Sequence, residues 1–165
     1  MTIREETDAD YPKIAALTRA AFGGEYGAEL IEKLRTARLV IVSLVAVEKA
    51  FVAGHVLFSE LTVEVDDKSV KAVALAPMAV RSDSRRRGVG SKLIETGLQI
   101  LDDRGYEAVI VLGHPDYYSR FGFSAALTAS LVAPFSGKAF MGLELVHGSL
   151  SRGRGSVTYP EAFDV

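Results

Sequence analysis

The sequence contains no cysteine. This absence excludes disulfide bonds, thiolate metal sites and cysteine nucleophiles together, and it is compatible with a reducing compartment. No charge of one sign dominates either, because 19 Lys and Arg residues stand against 21 Asp and Glu residues, for a formal net charge of -2. The molecule as a whole therefore has no attraction for a phosphate backbone, and we predict no nucleic-acid partner outside a local basic patch.

Long apolar segments are also missing. The longest apolar run, residues 39–47, is interrupted by Ser43 and is far shorter than the ~20 residues that cross a bilayer. The N-terminus carries Glu5, Glu6 and Asp8 where a secretory signal would have a basic segment and then an apolar one. We therefore expect a cytoplasmic protein that has no membrane partner.

The length and the composition predict one ordinary folded domain. The chain has 165 residues, and at roughly 150 residues per domain there is little room for a second one. Hydrophobic residues make up 48% and charged residues 24% of the chain, which is close to ordinary globular usage. We therefore expect residues 1–165 to form a single domain with an apolar core, and we exclude disorder as the main state.

The first half of the chain shows signals for a short edge strand, two helices and three longer strands. Asp8 or Asp10 is a suitable N-cap, Pro12 fits the first helical turn, and Gly23-Gly24 stops this helix. Pro77 interrupts the last strand because proline cannot donate a ladder hydrogen bond, which predicts a bulge or an unpaired edge. The other expected elements of this half are strands over residues 2–6, 39–47, 51–65 and 71–80 and a helix over residues 25–37.

The second half predicts a long helix followed by a strand, a short helix and a strand. The long helix runs from Val89 to near Gly105, with apolar residues at helical spacing. The later elements are expected over residues 108–112, 115–121 and 139–146. Residues 151–156, in which Gly and Arg alternate, are expected to form an exposed, flexible connection. This order of elements predicts a mixed α/β (α+β) fold.

A basic turn between a predicted strand and a predicted helix has the features of an anion-binding site. Residues 85–91 read Arg-Arg-Arg-Gly-Val-Gly-Ser and lead into the long helix. The first amides of a helix have no internal partner, and Gly88 and Gly90 let the backbone approach a ligand closely. The three arginines supply positive charge for further phosphate groups. The segment therefore predicts a cradle for a pyrophosphate.

Two other kinds of phosphate loop fit this turn poorly. A P-loop requires Gly, four residues and then Gly-Lys-Ser/Thr, but Gly90, Ser91 and Lys92 follow in the wrong order. A dinucleotide-binding fingerprint requires a third glycine at the position that Leu93 occupies. The sequence therefore supports neither a P-loop ATPase nor a dinucleotide-dependent dehydrogenase.

Two motifs resemble the GCN5-related N-acetyltransferase (GNAT) superfamily. Arg85-x-x-Gly88-x-Gly90 matches its acyl-CoA-binding signature, and Tyr118-Ser-Arg-Phe-Gly-Phe123 matches its Tyr-x-x-x-Gly-Phe segment. The resemblance covers nearly the whole chain, which is similar to the YhbS-like branch of the superfamily. The chain departs from the acyl-CoA-binding signature at Arg86, where glycine is frequent. It implies a single-domain fold with a mixed, mostly antiparallel central sheet that is flanked by helices and splayed at the acyl-CoA cleft.

The resemblance also implies acetyl-CoA as the cosubstrate, without a metal. Backbone groups at the end of the third long strand would hold the pantetheine arm and the acetyl carbonyl, namely those of Met78, Ala79 and Val80. Amides of the basic turn would hold the pyrophosphate, namely those of Arg85, Arg86, Arg87, Gly88, Val89, Gly90 and Ser91. Tyr118 would act as the general acid toward the departing CoA thiolate.

The implied reaction moves an acetyl group to a primary amine by direct attack in a ternary complex. An amine with a pKa near ~10.4 must lose a proton before it attacks, so a base is needed. His55 and His114 are the candidate bases because histidine has the most suitable unperturbed pKa, and Glu25 and Glu60 are further options. The acceptor, a small-molecule or peptide amine, stays open, and so does a homodimer.

Other interpretations stay open at this stage. A non-catalytic acyl-CoA-binding regulatory module would keep the cleft and lose turnover, although the retention of Tyr118 favours the enzyme. Tyr118 also fits a packing aromatic residue. His55 fits a structural histidine in an apolar strand, and His114 fits a cap of the short helix before Pro115. Nucleic-acid binding through the arginine turn is a more distant alternative.

Overall fold

The computed structural model describes residues 1–165 and contains eight strands and four α-helices. The helices are α1 (Tyr11–Phe22), α2 (Tyr26–Thr36), α3 (Val89–Asp103) and α4 (Pro115–Tyr118). The strands are β1 (Thr2–Glu5), β2 (Val40–Glu48), β3 (Phe51–Val65), β4 (Lys68–Val80), β5 (Ala108–Leu112), β6 (Leu131–Val132), β7 (Phe140–Glu144) and β8 (Gly155–Thr158). No helix combines the length and the apolar composition that crossing a bilayer requires.

The chain divides into two compact units, of which the first comprises Met1–Ser59 and Ala76–Ile100. Here β2 pairs antiparallel with both β1 and β3. Helix α1 begins after Asp10 with Pro12 in its first turn, and it ends at Gly23, whose φ of 72° and N–H bond to Arg19 O close the helix. The start and stop signals in the sequence therefore predicted this helix correctly.

Helix α3 begins in the first unit and lies closely against β3 there. A methyl group at Gly97 would overlap the ring of Phe58, so only glycine allows this approach. Val89, Leu93 and Ile94 are buried along the helix at helical spacing. The apolar face that the sequence predicted for this helix is therefore the face that packs.

The second unit comprises Glu60–Leu75 and Leu101–Val165. Strand β5 pairs in parallel with β4 and antiparallel with β7, and β8 pairs antiparallel with β3 and in parallel with β6. Within the two units, four strand pairs are antiparallel and two are parallel. The prediction of a mixed, mostly antiparallel sheet accompanied by helices is confirmed.

The irregularity that was predicted for the third long strand at Pro77 coincides with the end of the pairing between β4 and β5. The parallel register joins Ala72 through Leu75 to Ala108 through Val111, and β4 then continues to Val80. The Ala76–Pro77 peptide bond is cis. Because proline has no amide hydrogen, β4 cannot extend a regular ladder through this point.

The expectation of a loop over residues 151–156 is wrong in its last part. Gly155 and Ser156 begin β8, which pairs with Val65 and Glu64 of β3. A methyl group at Gly155 would overlap the carbonyl oxygen of Glu64, so the close pairing requires glycine. The glycine therefore serves the approach of two strands and not chain flexibility. The short strands β6 and β8 were not predicted.

Candidate active site

The turn that was predicted to hold a phosphate begins where β4 ends. A short 3-10 helix, Ser82–Ser84, follows the strand, and the chain then turns through residues 85–88 into α3. Arg86 has a φ of 65° and Gly88 a φ of 78°, so both residues adopt the left-handed conformation. Glycine takes this conformation most easily. Arg86 therefore keeps a glycine-like backbone although it carries a side chain.

The first turn of α3 presents amide groups that the helix itself does not use. The hydrogen bond that links the turn to the helix is donated by Lys92 N–H to Gly88 O. Amides that precede Lys92 have no carbonyl group within the helix to bind, and they carry the positive end of the helix dipole. The N-terminus of this 15-residue helix can therefore hold an anion.

Close packing against β3 fixes the position of this helix end. A Cβ atom at Gly54 would lie 2.9 Å from both Leu93 Cδ1 and Val89 Cγ1, and 3.3 Å from Ala79 O. Val89 and Leu93 are buried. The missing side chain at Gly54 therefore lets α3 start directly against β3, and it holds the basic turn at the end of β4.

The three arginines of the turn are exposed and only one of them lies near a carboxylate. Arg87 Nη1 is 3.9 Å from Glu48 Oε2, whereas Arg85 and Arg86 form no ion pair. Arg81, just before the turn, is bound to Asp83 at 2.7 Å. Arg85 and Arg86 therefore remain available for phosphate groups.

A cavity of about 530 Å³ opens beside the turn within the same unit. Helix α1 forms one wall with Lys13 and small side chains, and the β2–β3 hairpin and residues 80–85 form the others. Lys13, Arg81 and Arg85 border the cavity, and Asp83 is the one carboxylate among its lining residues. The charged groups of the cavity are therefore mainly cations where it meets the predicted phosphate-binding turn.

The residues predicted to hold the acyl arm lie at the end of β4. Ala79 is buried, and Met78 and Val80 are half-buried, so the side chains alternate between the two faces of the strand. These three residues lie beyond the register that joins β4 to β5. They run directly into the turn that is predicted to hold the pyrophosphate.

Tyr118 lies in the second unit at the end of α4. Its side chain is 9% exposed and meets the rings of Tyr117 and Phe123 edge-on, with centroids 5.1 Å and 5.7 Å away. Burial raises the pKa of the Tyr118 hydroxyl to about 12, and Tyr117 adds to this effect. The hydroxyl takes part in none of the hydrogen bonds of the protein. At neutral pH it is therefore a protonated donor that is available to a ligand.

His114 occupies the N-cap position of α4, as the capping alternative predicted, but its imidazole does not cap the helix. Instead, its carbonyl oxygen accepts the N–H groups of Tyr117 and Tyr118 at 3.1 Å each. The residue is exposed, and no ion pair holds its ring. The imidazole of His114 is therefore open to solvent.

His55 has no exposed surface and belongs to a buried polar network. Its Nε2 lies 2.8 Å from Ser43 Oγ and 3.6 Å from Glu6 Oε1, and its Nδ1 has no partner. Because the Ser43 hydroxyl donates its hydrogen to Glu6, it must accept a hydrogen from His55 Nε2. Burial lowers the pKa of His55, although Glu6 opposes this effect. His55 is therefore a neutral, enclosed histidine.

The sequence did not reveal the partners of this network. Arg35 Nε and Nη2 donate to the two oxygens of Glu6 at 3.0 Å and 2.8 Å, and Ser43 Oγ donates at 2.5 Å. These groups come from α2, β2 and the segment after β1, so no local pattern joins them. Of the other candidate bases, Glu25 is paired with Arg19 at 2.8 Å, and Glu60 is exposed on β3.

No group of three or more His, Asp and Glu side chains is arranged to hold a metal ion.

The protein resembles known proteins over its whole length. It is 36% identical to the uncharacterized N-acetyltransferase YhbS of Escherichia coli K12 over 167 aligned residues, which cover 99% of both chains.

Solved structures extend this similarity to the fold. The crystal structure of E. coli YhbS in complex with CoA has a TM-score of 0.89 at 36% identity and covers 99% of this chain and 92% of that chain. A GNAT family acetyltransferase from Brucella melitensis, in complex with acetyl-CoA, has a TM-score of 0.80 at 32% identity and covers 99% and 97%. The family model of the acetyltransferase (GNAT) domain matches residues 2–126. The chain therefore belongs to the GNAT family of N-acetyltransferases.

Proposed function

We propose that this acetyltransferase moves the acetyl group of acetyl-CoA to a primary amine by direct attack within a ternary complex. The observation that carries the proposal is the N-terminus of α3, where amides without helical partners follow a turn that exposes Arg85 and Arg86 without ion pairs. A diphosphate fits such a site in both geometry and charge. The CoA and acetyl-CoA complexes of the two relatives support this choice of cosubstrate.

The proposed roles within the first unit follow the chain. Backbone groups of Met78, Ala79 and Val80 hold the pantetheine arm and the acetyl carbonyl, and the amides of residues 85–91 hold the pyrophosphate. Acetyl-CoA supplies an activated thioester carbonyl when it is bound. The exposed guanidinium groups of Arg85 and Arg86 add charge-assisted hydrogen bonds to phosphate oxygens.

Tyr118 is proposed to donate a hydrogen bond to the sulfur atom that leaves. Its pKa of about 12 exceeds the ~8.5 of a free thiol by a margin that makes full proton transfer to the thiolate unfavourable by about 5 kcal/mol. The phenol therefore stabilises the developing negative charge and keeps its own proton for most of the reaction. This role uses the free hydroxyl on an otherwise buried ring.

Of the two candidate histidine bases, His114 suits proton removal from the acceptor better than His55. His114 is exposed, so a proton taken from an amine can pass to water. His55 has no exposed surface, and its Nε2 is already engaged with Ser43. We expect His114→Ala to shift the acidic limb of the pH–rate profile, and His55→Gln to change protein stability without shifting that limb.

The test combines calorimetry with an assay for released CoA thiol. The acceptor panel contains a polyamine, an aminoglycoside, free amino acids and a peptide with a free N-terminus. Tyr118→Phe is expected to lower kcat by about 10² while the Kd for acetyl-CoA stays unchanged, and the matched control Tyr117→Phe removes a neighbouring hydroxyl and keeps kcat. Acetyl-CoA binding without turnover on any amine would indicate the regulatory module instead. Equal kcat for wild type and Tyr118→Phe would contradict the role of Tyr118.

The domain organisation also remains a proposal, and a homodimer stays open. We propose that residues 1–165 act as one acetyltransferase domain. Cooperative unfolding in a single calorimetric transition would support this proposal. Light scattering at the mass of two chains would indicate a homodimer, and the mass of one chain would exclude it.

A further inference from the structure

We propose that Gly113 is a positioning residue for the hydroxyl of Tyr118, so that an alanine at this position lowers turnover by displacing the phenol. This inference rests on the proposed function of Tyr118. Both residues belong to the second unit, where Gly113 connects β5 to His114, the N-cap of α4. The backbone of Gly113 lies in an ordinary region, because its φ is not positive. The requirement for glycine therefore comes from the space in front of it.

The ring of Tyr118 occupies the position where a side chain at residue 113 would lie. A Cβ atom built on Gly113 would be 2.5 Å from Cε2, 2.9 Å from Cδ2 and 3.5 Å from Cζ of Tyr118. Ordinary carbon contacts begin near 3.4 Å. The Cδ2–Cε2 edge of the ring therefore lies against the glycine. An added methyl group must push this edge of the ring away by about 0.9 Å.

The backbone on both sides cannot easily yield to this push. The N–H of Gly113 donates to Ala139 O at 2.9 Å, which ties the glycine to the residue just before β7. The carbonyl of His114 accepts the N–H groups of Tyr117 and Tyr118 at 3.1 Å, which ties the start of α4 to its end. Separating Gly113 from Tyr118 would break one of these connections.

Neighbouring rings also confine the side chain of Tyr118. The rings of Tyr117 and Phe123 meet it edge-on at 5.1 Å and 5.7 Å, in planes turned by 89° and 79°. Phe123 is buried. With Gly113 on its edge, the phenol has contacts on several sides, and its hydroxyl is the part that remains free of protein hydrogen bonds. A push at Cε2 therefore moves the hydroxyl, which is attached to the adjacent ring carbon.

A displacement of this size matters for a hydrogen bond made in the transition state. Misplacement of a catalytic group by about 1 Å can lower a rate by roughly 10². Because the hydroxyl of Tyr118 is itself proposed to contribute about 10², Gly113→Ala is expected to lower kcat by up to that factor. The Kd for acetyl-CoA is expected to stay unchanged, because the substitution leaves the amides of residues 85–91, which are proposed to hold the pyrophosphate, as they are.

The decisive experiment is a double-mutant cycle on kcat with Gly113→Ala, Tyr118→Phe and the combined variant. If Gly113 acts through the hydroxyl, Gly113→Ala lowers kcat by roughly 10-fold to 100-fold when Tyr118 is present and by less than about 3-fold when it is added to Tyr118→Phe. Full kcat for Gly113→Ala, or the same loss in both backgrounds, would overturn the inference. Gly24→Ala serves as the matched control, because a methyl group there meets nothing within 4 Å.

Two further outcomes separate the inference from the proposed function. If Tyr118→Phe itself keeps full kcat, the role of Tyr118 fails before Gly113 is judged. The clash can then be tested without activity, by thermal unfolding of a second cycle that uses Tyr118→Val, which removes the ring. Gly113→Ala is expected to lower Tm when Tyr118 is present and to have no effect when it is added to Tyr118→Val. An equal lowering of Tm in both backgrounds would show that the ring does not require the glycine.

Discussion

Replacement of Glu6 by glutamine tests whether the buried polar network stabilises the first unit. Arg35 donates to both carboxylate oxygens of Glu6, and Ser43 donates to one of them. Glutamine keeps one acceptor oxygen and places an amide donor against one of these donors. Burial alone would raise the pKa of Glu6, but the neighbouring His55, Arg35 and Ser43 outweigh it and lower the pKa to about 2.

The size of the effect follows from this pKa. A shift from 4.5 to about 2 corresponds to at most about 3 kcal/mol of stability, at about 1.36 kcal/mol for each pH unit. The side chains of Arg35 and Glu6 remain 19% and 11% exposed, so solvent screens part of the attraction. We expect Glu6→Gln to lower the free energy of unfolding by about 2 kcal/mol at pH 7.

The pH dependence has a defined sign. Because the pKa of Glu6 is lower in the folded state, its stabilisation is complete above pH about 5 and declines as the pH falls toward 2. Urea unfolding should therefore show a difference between wild type and Glu6→Gln that shrinks by about 1 kcal/mol from pH 7 to pH 3.5. The control Glu32→Gln changes an exposed carboxylate on α2 and should match wild type. A constant difference across this range would show that the ionised carboxylate of Glu6 does not stabilise the folded state.

Two more substitutions test the backbone of the site and of β8. The first concerns Arg86, whose φ is 65°. Arg86→Gly should be more stable to urea than Arg86→Val by about 1 kcal/mol or more, because both variants lack the guanidinium but only valine is strained in this conformation. Equal stability of the two variants would mean that residue 86 is not left-handed. Gly155→Ala should lower the free energy of unfolding by about 2 kcal/mol, because its methyl group would overlap Glu64 O. Gly24→Ala is the control, and equal melting of these two variants would contradict the close pairing of β3 and β8.

The ends of α1 and the turn before α3 could be predicted from the sequence because they depend on residues that are close together in the chain. Pro12 and Gly23 mark the ends of α1 because capping depends on residues within one helical turn. The spacing of Arg85, Gly88 and Gly90 marks the turn because the backbone conformation and the helix start are set by neighbours in the chain. The left-handed φ of Arg86 shows that the turn keeps its backbone even where the sequence departs from glycine.

Features that depend on distant residues were not accessible in this way. The network joins Glu6 to Arg35 and Ser43, which are 29 and 37 positions further along the chain, and nothing near Glu6 in the sequence signals either residue. Strand β8 begins with Gly155 and Ser156, which are residue types typical of turns, so its sequence does not indicate a strand. Only the partner strand β3 explains Gly155, just as only the ring of Tyr118 explains Gly113.

An NMR titration of amide resonances with CoA tests most directly whether the N-terminus of α3 holds the diphosphate. The amides of Gly88, Val89, Gly90 and Ser91 should shift strongly and saturate together with calorimetric binding, since they would donate to the diphosphate. Pantetheine, which lacks the diphosphate, should leave these four resonances in place. Saturable CoA binding that shifts other amides and leaves those of the N-terminus of α3 unchanged would exclude this role of the helix.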